Sequence, residues 1–466
     1  MVFSSMVFLW IFLPIVMAVY FIIPKKFISA KNIVLLIASL LFYAWGEPVY
    51  VLLMLLSILF NYSMGILLYK LDCKKLILVI DILGNLLVLG YYKYYDFLID
   101  SINGIFGTEI PLKDIALPIG ISFFTFQILS YIIDLYRGEI ELQKNPINLA
   151  LYISFFPQLI AGPIVKYHDI SKALESREQS LEQVSEGVRR FIYGFAKKVL
   201  IANVLARTVD NIYALDISDV TSTFAWVAAV FYMLQIYYDF SGYSDMAIGL
   251  GKIFGFNFNE NFNYPYMSWS IKEFWRRWHI SLSSWFRDYL YIPLGGNRKG
   301  AVRTYINLIM VFFVTGLWHG AGYTFILWGL FHGLFSIIER TPWGKFVEKV
   351  KPLGYIYSTA VVLFGWVLFR AETLTTALKF YKRMILIGHY TESKYVWQEI
   401  MYNRSIATAI AAIIGCGIIQ AILKKTGLDK KLKDSYLEII WLVIILLLSI
   451  AALAANSYNP FIYFRF

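Results

Sequence analysis

Apolar stretches of about membrane-spanning length recur from one end of this chain to the other. They fall at roughly 6–23, 32–45, 49–69, 76–99, 115–135, 147–165, 222–238, 304–318, 323–338, 354–370, 404–423 and 436–455. Segments that cross hydrocarbon must satisfy their backbone N–H and C=O groups internally, which leaves helices or a closed barrel. The period-two alternation of a barrel is missing, so the runs read as helices of an all-α polytopic membrane protein. Several are shorter than the ~20 residues of a straight span. The pattern therefore predicts about ten to twelve spans, some tilted, broken or re-entrant. Composition agrees: 59% of the 466 residues are hydrophobic and only 16% are charged, far from a soluble domain. Aromatic residues, at 18%, exceed what lipid contact asks for and suit interface belts and lined cavities.

The net charge of +11 reports topology more than a nucleic-acid partner. Lys25, Lys26 and Lys31 follow the first run, Lys70, Lys74 and Lys75 the third, and Lys424, Lys425, Lys430, Lys431 and Lys433 precede the last. Short basic loops beside spans stay cytoplasmic, so both termini are expected outside. No Lys or Arg precedes Lys25, and the first run reads as a retained span instead of a signal peptide. Cys73 and Cys416 have no metal or disulfide spacing.

With no soluble module, linker or repeat, residues 1–466 read as one membrane domain with an aromatic tail at 457–466. The basic amphipathic stretch at 188–208 reads either as a cytoplasmic interfacial helix or as a span with a basic flank. Residues 240–300 are too polar to span and too aromatic for a free loop. Within them, Ser270 and Glu273 form a capping-box pattern. Ile271, Trp275, Trp278, Leu282, Trp285 and Tyr289 then follow at helical spacing. A single helix is expected from near Ile271 until Pro293, Gly295 and Gly296 end it.

Two of five histidines lie in the apolar stretch GLWHGAGYTFILWGLFHG at 316–333. A continuous helix from Ala301 to Ile338 would be ~57 Å long, well beyond the ~30 Å hydrocarbon core. The chain must therefore turn, and Gly316, Gly320 and Gly322 mark the place. His319, beside that turn, is positioned to line a cavity, and ionisable groups at membrane depth usually carry function. It equally fits a histidine hydrogen-bonded in a packed interior. His332 reads first as a packing residue, His168 and His389 as solvated, and His279 as intermediate among Trp275, Trp278 and Trp285. No histidine or cysteine spacing defines a metal site, and there is neither a nucleotide loop nor a nucleophile elbow. Asp134, Asp239 and Asp245 read as structural. The chain ends NSYNPFIYFRF, which reads as an interfacial anchor or as a plug turned back into an outer cavity, with Tyr463 presenting its hydroxyl.

Taken together, LPIGISFFTFQILSYIIDLYRGE (117–139), FFPQLIAGPI (155–164), YYDFSGYSDMAIGLGKIFGFNFNENFNYPY (237–266), SIKEFWRRWHISLSSWFRDYLYIPLGGNR (270–298) and the 316–333 stretch resemble the bacterial membrane-bound O-acyltransferases. The branch they resemble is the one containing the membrane proteins of alginate and peptidoglycan O-acetylation. The resemblance implies a helical bundle around a funnel or tunnel, with His319 as catalytic histidine and His279 as the second functional one. PLGGNR favours the acetylating branch over the D-alanyl-transferring branch of teichoic acid modification. In that second branch a small partner carries an aromatic C-terminal motif with a proposed acyl-carrying tyrosine, which FIYFRF resembles, so Tyr463 becomes a candidate relay.

On this reading, acetyl-CoA is the donor substrate and no bound cofactor is required. Arg276, Arg277, Arg298 and Lys299 are candidates for its phosphates by charge and location. An SGNH-type partner outside would place the acetyl group on an envelope or exopolysaccharide hydroxyl. Direct transfer without the tail, another short acyl group, a transporter of lipid-linked sugars and a non-catalytic scaffold are the rival readings.

Overall fold

The computed structural model describes residues 1–455 and 458–462. Among these every regular element is helical. The chain forms two compact units, one made of Met1–Phe191 with Met246–Asn259 and the other of Ile192–Asp245 with Glu260–Phe466.

Among the described residues five helices are long and apolar enough to cross a bilayer: Tyr50–Lys70, Lys74–Phe106, Gly300–His319, Lys351–Arg370 and Tyr436–Ala455. Phe8–Ile22, Ile28–Ala44 and Tyr323–Ile338 are shorter apolar helices. Two runs expected as single spans are interrupted. The run at 147–165 breaks between Pro146–Ser154 and Phe156–Leu159, where Phe155 leaves the helical region (φ −56°, ψ 113°) and Pro157, with no N–H to donate back to the previous turn, sits in the first turn of the next helix. The run at 404–423 bends by 44° between Asn403–Gly415 and Ile418–Thr426, at Gly417 with its φ of +136°.

In the first unit, Arg177 is buried against the rings of Phe256 and Tyr20. It donates to the Tyr20 hydroxyl at 3.0 Å, Asn32 Oδ1 at 2.7 Å and the Ala173 carbonyl at 2.9 Å. Asn32 passes the network on to Asn148 at 2.9 Å and the Leu174 carbonyl at 2.7 Å. Lys31, expected in an exposed basic loop, is instead buried and donates to Gln179 Oε1 at 3.1 Å. Its ammonium lies 4.4 Å from the Tyr20 ring centroid, where the ring's electron-rich face offsets lost hydration.

The second unit holds the site, built on six helices: α1 (Ser222–Ile253, shared with the first unit), α2 (Ile271–Arg277), α3 (Ile280–Phe286), α4 (Gly300–His319), α5 (Tyr323–Ile338) and α6 (Lys351–Arg370). Helices α4 and α5 form an antiparallel hairpin that turns at Gly320–Gly322, as the length argument requires. Their backbones come unusually close. A Cβ on Gly329 would lie 2.1 Å from the Phe312 carbonyl oxygen, and one on Gly316 would lie 2.3 Å from that of Phe325. Small residues at such crossings let helices pack by direct van der Waals contact.

The single helix expected over 271–289 is two helices. Ser270 caps the start, its hydroxyl accepting the Glu273 N–H at 3.0 Å. The reciprocal half of the capping box is absent, because Glu273 pairs with Arg277 at 2.7 Å. Glu339 takes over, accepting the Ile271 N–H and, at 2.9 Å, the Lys272 N–H. The helix then stops at Trp278, and His279 adopts a left-handed conformation (φ +44°). The Ile280 N–H is satisfied by the Asn261 carbonyl at 2.9 Å, so the break does not leave that donor unpaired.

The basic stretch at 188–208 also departs from expectation. Lys197–Ala202 is a π-helical segment between Leu181–Ala196 and Asn203–Tyr213. Lys197 and Lys198 pair with Asp245 and Asp239 of α1, each at 2.6 Å, instead of facing solvent.

Candidate active site

The break at Trp278–His279 explains the position of the first histidine. His279 is completely buried and rests edge-on against Phe240, with centroids 4.6 Å apart. Its Nδ1 lies 3.1 Å from Asn261 Oδ1. That oxygen also accepts the Ser281 N–H at 3.2 Å and the Ser281 hydroxyl at 2.9 Å. A backbone N–H can only donate, so the Asn261 atom is the carbonyl oxygen, and His279 must present an N–H at Nδ1. The neutral ring therefore carries its lone pair on Nε2, which has no hydrogen-bond partner among the described residues. Burial pushes the imidazole pKa down to about 3, holding the ring neutral.

His319 ends α4 and is 6% exposed. Trp318, Trp328 and Phe369 surround it at centroid distances of 4.9, 5.0 and 5.3 Å. Trp318 is also 6.1 Å from His279, so one indole separates the two histidines. His332 lies beyond Trp328, at 5.2 Å from it and 5.2 Å from Trp275. Neither of its ring nitrogens has a hydrogen-bond partner among the described residues. Gly365 makes room for it, since a Cβ there would stand 2.8 Å from Nε2. His279, His319 and His332 are thus joined through Trp318 and Trp328 in one aromatic cluster, with Trp366 stacked on Trp328. His168 is elsewhere, half-exposed between Asp134 and Asp169, and His389 is exposed. Among the described residues no group of three or more His, Cys, Asp or Glu side chains is arranged to hold a metal ion.

The four cations expected to meet an anionic donor lie in two stretches of chain, Arg276 and Arg277 beside Glu273 and Arg298 and Lys299 before α4. Arg276 lines a cavity of about 380 Å³ with Lys272, Arg340, Lys345 and Glu339, on a wall that includes Trp275. Arg277 is held by Glu273. Arg298 and Lys299 are exposed before the first residue of α4, ~30 Å along that helix from His319 at ~1.5 Å per residue. Burial raises the Glu339 pKa against the opposing pull of the two backbone N–H groups it caps.

Tyr463 lies outside the described residues. The tail before it is described. Phe461 and Ile462 are buried, with Phe461 stacked on Tyr243 at 4.8 Å and the Ile462 N–H donating to Asp239 at 2.9 Å. Asn261 was not among the residues singled out from the sequence. Its only signal was its place in the Asn-rich NFNENFN run before a capped helix.

A buried histidine at the turn of a helical hairpin, with a second tautomer-fixed histidine one indole away, forms the candidate site. Residues 104–371 match the model of the membrane-bound O-acyltransferase family. The chain is 42% identical to the probable alginate O-acetylase AlgI of Azotobacter vinelandii over the full length of both proteins. It is 36% identical to the peptidoglycan O-acetyltransferase of Helicobacter pylori, covering 83% of this chain and 80% of that one. The teichoic acid D-alanyltransferase of Bacillus subtilis is 29% identical over 49% of this chain and 60% of its own. The chain belongs to the membrane-bound O-acyltransferase family and is a multi-pass membrane O-acyltransferase.

Proposed function

We propose that this enzyme moves an acetyl group from cytoplasmic acetyl-CoA across the membrane for O-acetylation of an extracytoplasmic polysaccharide. The observation that carries the reading is the pairing of His319 with His279 across Trp318 in a buried aromatic cluster. The full-length match to an alginate O-acetylase, against a half-length match to a D-alanyltransferase, favours acetyl over D-alanyl.

His319 acts as general base, with its neutral imidazole taking a proton from an attacking hydroxyl. The acceptor is the Tyr463 phenol. Its oxygen bonds to the thioester carbonyl carbon, the C–S bond breaks, and the proton held by His319 passes to the leaving thiolate to give CoA. A phenol of pKa ~10 needs such a base, and its ester is a reactive acyl donor. His279, presenting Nε2 as an acceptor, is the second polar group of the site. Arg276 meets the donor's phosphates beside the charged cavity, with Arg277, Arg298 and Lys299 serving its nucleotide end. Both termini face outside, where an SGNH-type partner collects the acetyl group for the sugar hydroxyl.

The test is the mass of the C-terminal peptide after purified protein in nanodiscs meets acetyl-CoA. An acetyl adduct on Tyr463 is expected in the wild type and absent in Tyr463→Phe and His319→Gln. CoA release without any adduct, once acceptor is supplied, would overturn the relay and leave direct transfer.

A further inference from the structure

We infer that the buried Lys198–Asp239 ion pair is the seat of the C-terminal tail, a positioning device for residues 458–462. The two side chains are 3% and 2% exposed and their charged atoms are 2.6 Å apart. Burying two charges costs more than their attraction returns unless other hydrogen bonds complete the pair. Here the tail backbone completes it on both sides. Asp239 Oδ2 accepts the Ile462 N–H at 2.9 Å, and the Lys198 ammonium donates to the Pro460 carbonyl. Between those contacts the Phe461 ring stacks on Tyr243 at 4.8 Å and lies 5.6 Å beneath the same ammonium. Two side-chain bonds align the approach, Asn459 with Asn203 at 3.0 Å and the Tyr458 hydroxyl with Asp210.

The receptor is built for this. The extra residue per turn in the π-helical Lys197–Ala202 segment lets consecutive lysines both reach α1. Gly242, one turn from each aspartate, allows the close approach, since a Cβ there would lie 2.8 Å from the Gly194 carbonyl oxygen. The seat reads the tail through main-chain groups at 460 and 462 and through one ring at 461. That fixes the chain direction immediately before Tyr463. A consequence for acyl transfer rests on the relay proposed above, whereas the seat itself does not.

The experiment uses full-length protein in nanodiscs, digested with a carboxypeptidase and followed by intact mass. Ile462→Pro removes the N–H that Asp239 accepts and leaves the ion pair untouched. It should speed loss of the tail roughly tenfold or more, the scale of a hydrogen bond to a charged group. Ile462→Val retains the N–H and should digest like the wild type. Asp239→Asn should behave like Ile462→Pro, and if that variant does not fold, Ile462→Pro decides alone. The melting temperature of Ile462→Pro should stay at the wild-type value, separating tail release from general unfolding. Wild-type digestion in Ile462→Pro would overturn the seat. A released tail that still forms the acetyl adduct at the wild-type rate would overturn its positioning role. A seated tail with no adduct would overturn the relay and leave the seat standing.

Discussion

Arg177 and His332 are both buried among aromatic rings, and their polar atoms are served differently. Arg177 donates to Tyr20, Asn32 and a carbonyl, and the network continues to Asn148. His332 sits between Trp275 and Trp328 with neither nitrogen bonded by a described residue, and His279 leaves Nε2 in the same condition. Buried polar groups are nearly always hydrogen-bonded, and each one that is not forfeits about 1–3 kcal/mol. Around Arg177 most polar atoms hold helices together, and only its Nη2 lacks a hydrogen-bond partner among the described residues. In the second unit His279 and His332 keep bonding capacity in reserve, as a site does when its partner is a substrate that arrives and leaves.

If that contrast is right, mutations at the two places should separate activity from stability. The largest effect is expected for His319→Gln, which keeps the volume and removes the base. Acetyl-CoA turnover should fall roughly 10²–10⁴-fold, with the melting temperature close to wild type. Arg177→Met should show the reverse. Loss of its charge-assisted bonds should cost about 3 kcal/mol in a denaturation experiment, with turnover per folded molecule unchanged.

Acid should reveal His279 next. Its folded pKa, about 3, lies below the ~6.5 of an unfolded histidine, so the unfolded chain takes the proton first. This stability is fully present above about pH 6.5 and is lost as pH falls toward 3. At pH 5 the His279 contribution to the loss should be about 2 kcal/mol relative to pH 7.5, and that share should be absent in His279→Gln. The smallest effect belongs to Asn261→Ala, which frees the His279 tautomer. A fall of about tenfold in kcat, or ~1.4 kcal/mol, with KM little changed is expected from steady-state kinetics.

The hairpin at 316–333 was legible because length against bilayer thickness admits no other answer, and glycines marked the turn. Ser270 was legible as a cap because its partner, Glu273, is three residues away. The break at Trp278–His279 was not, since the apolar residues keep helical spacing straight through it. What stops the helix is Asn261, eighteen residues upstream, whose carbonyl and side chain take the Ile280 N–H and the histidine ring. The partner of Lys198 was hidden for the same reason. Beside other cations the lysine looks solvated, and its counter-ion Asp239 lies forty-one residues away in sequence. Local chemistry shows in spacing, whereas long-range pairs that turn polar groups inward leave no period behind. The aromatic tail lies between these cases. Its composition pointed inward, but its backbone bonds to Lys198 and Asp239 could be seen only in three dimensions.

The most direct test of the contrast is CoA release from acetyl-CoA by wild type, His319→Gln and Arg177→Met, each in nanodiscs with acceptor present and normalised to folded protein. The account predicts background release from His319→Gln and wild-type release from Arg177→Met. Substantial release from a folded His319→Gln would contradict it, because the chemistry would then lie outside the histidine cluster.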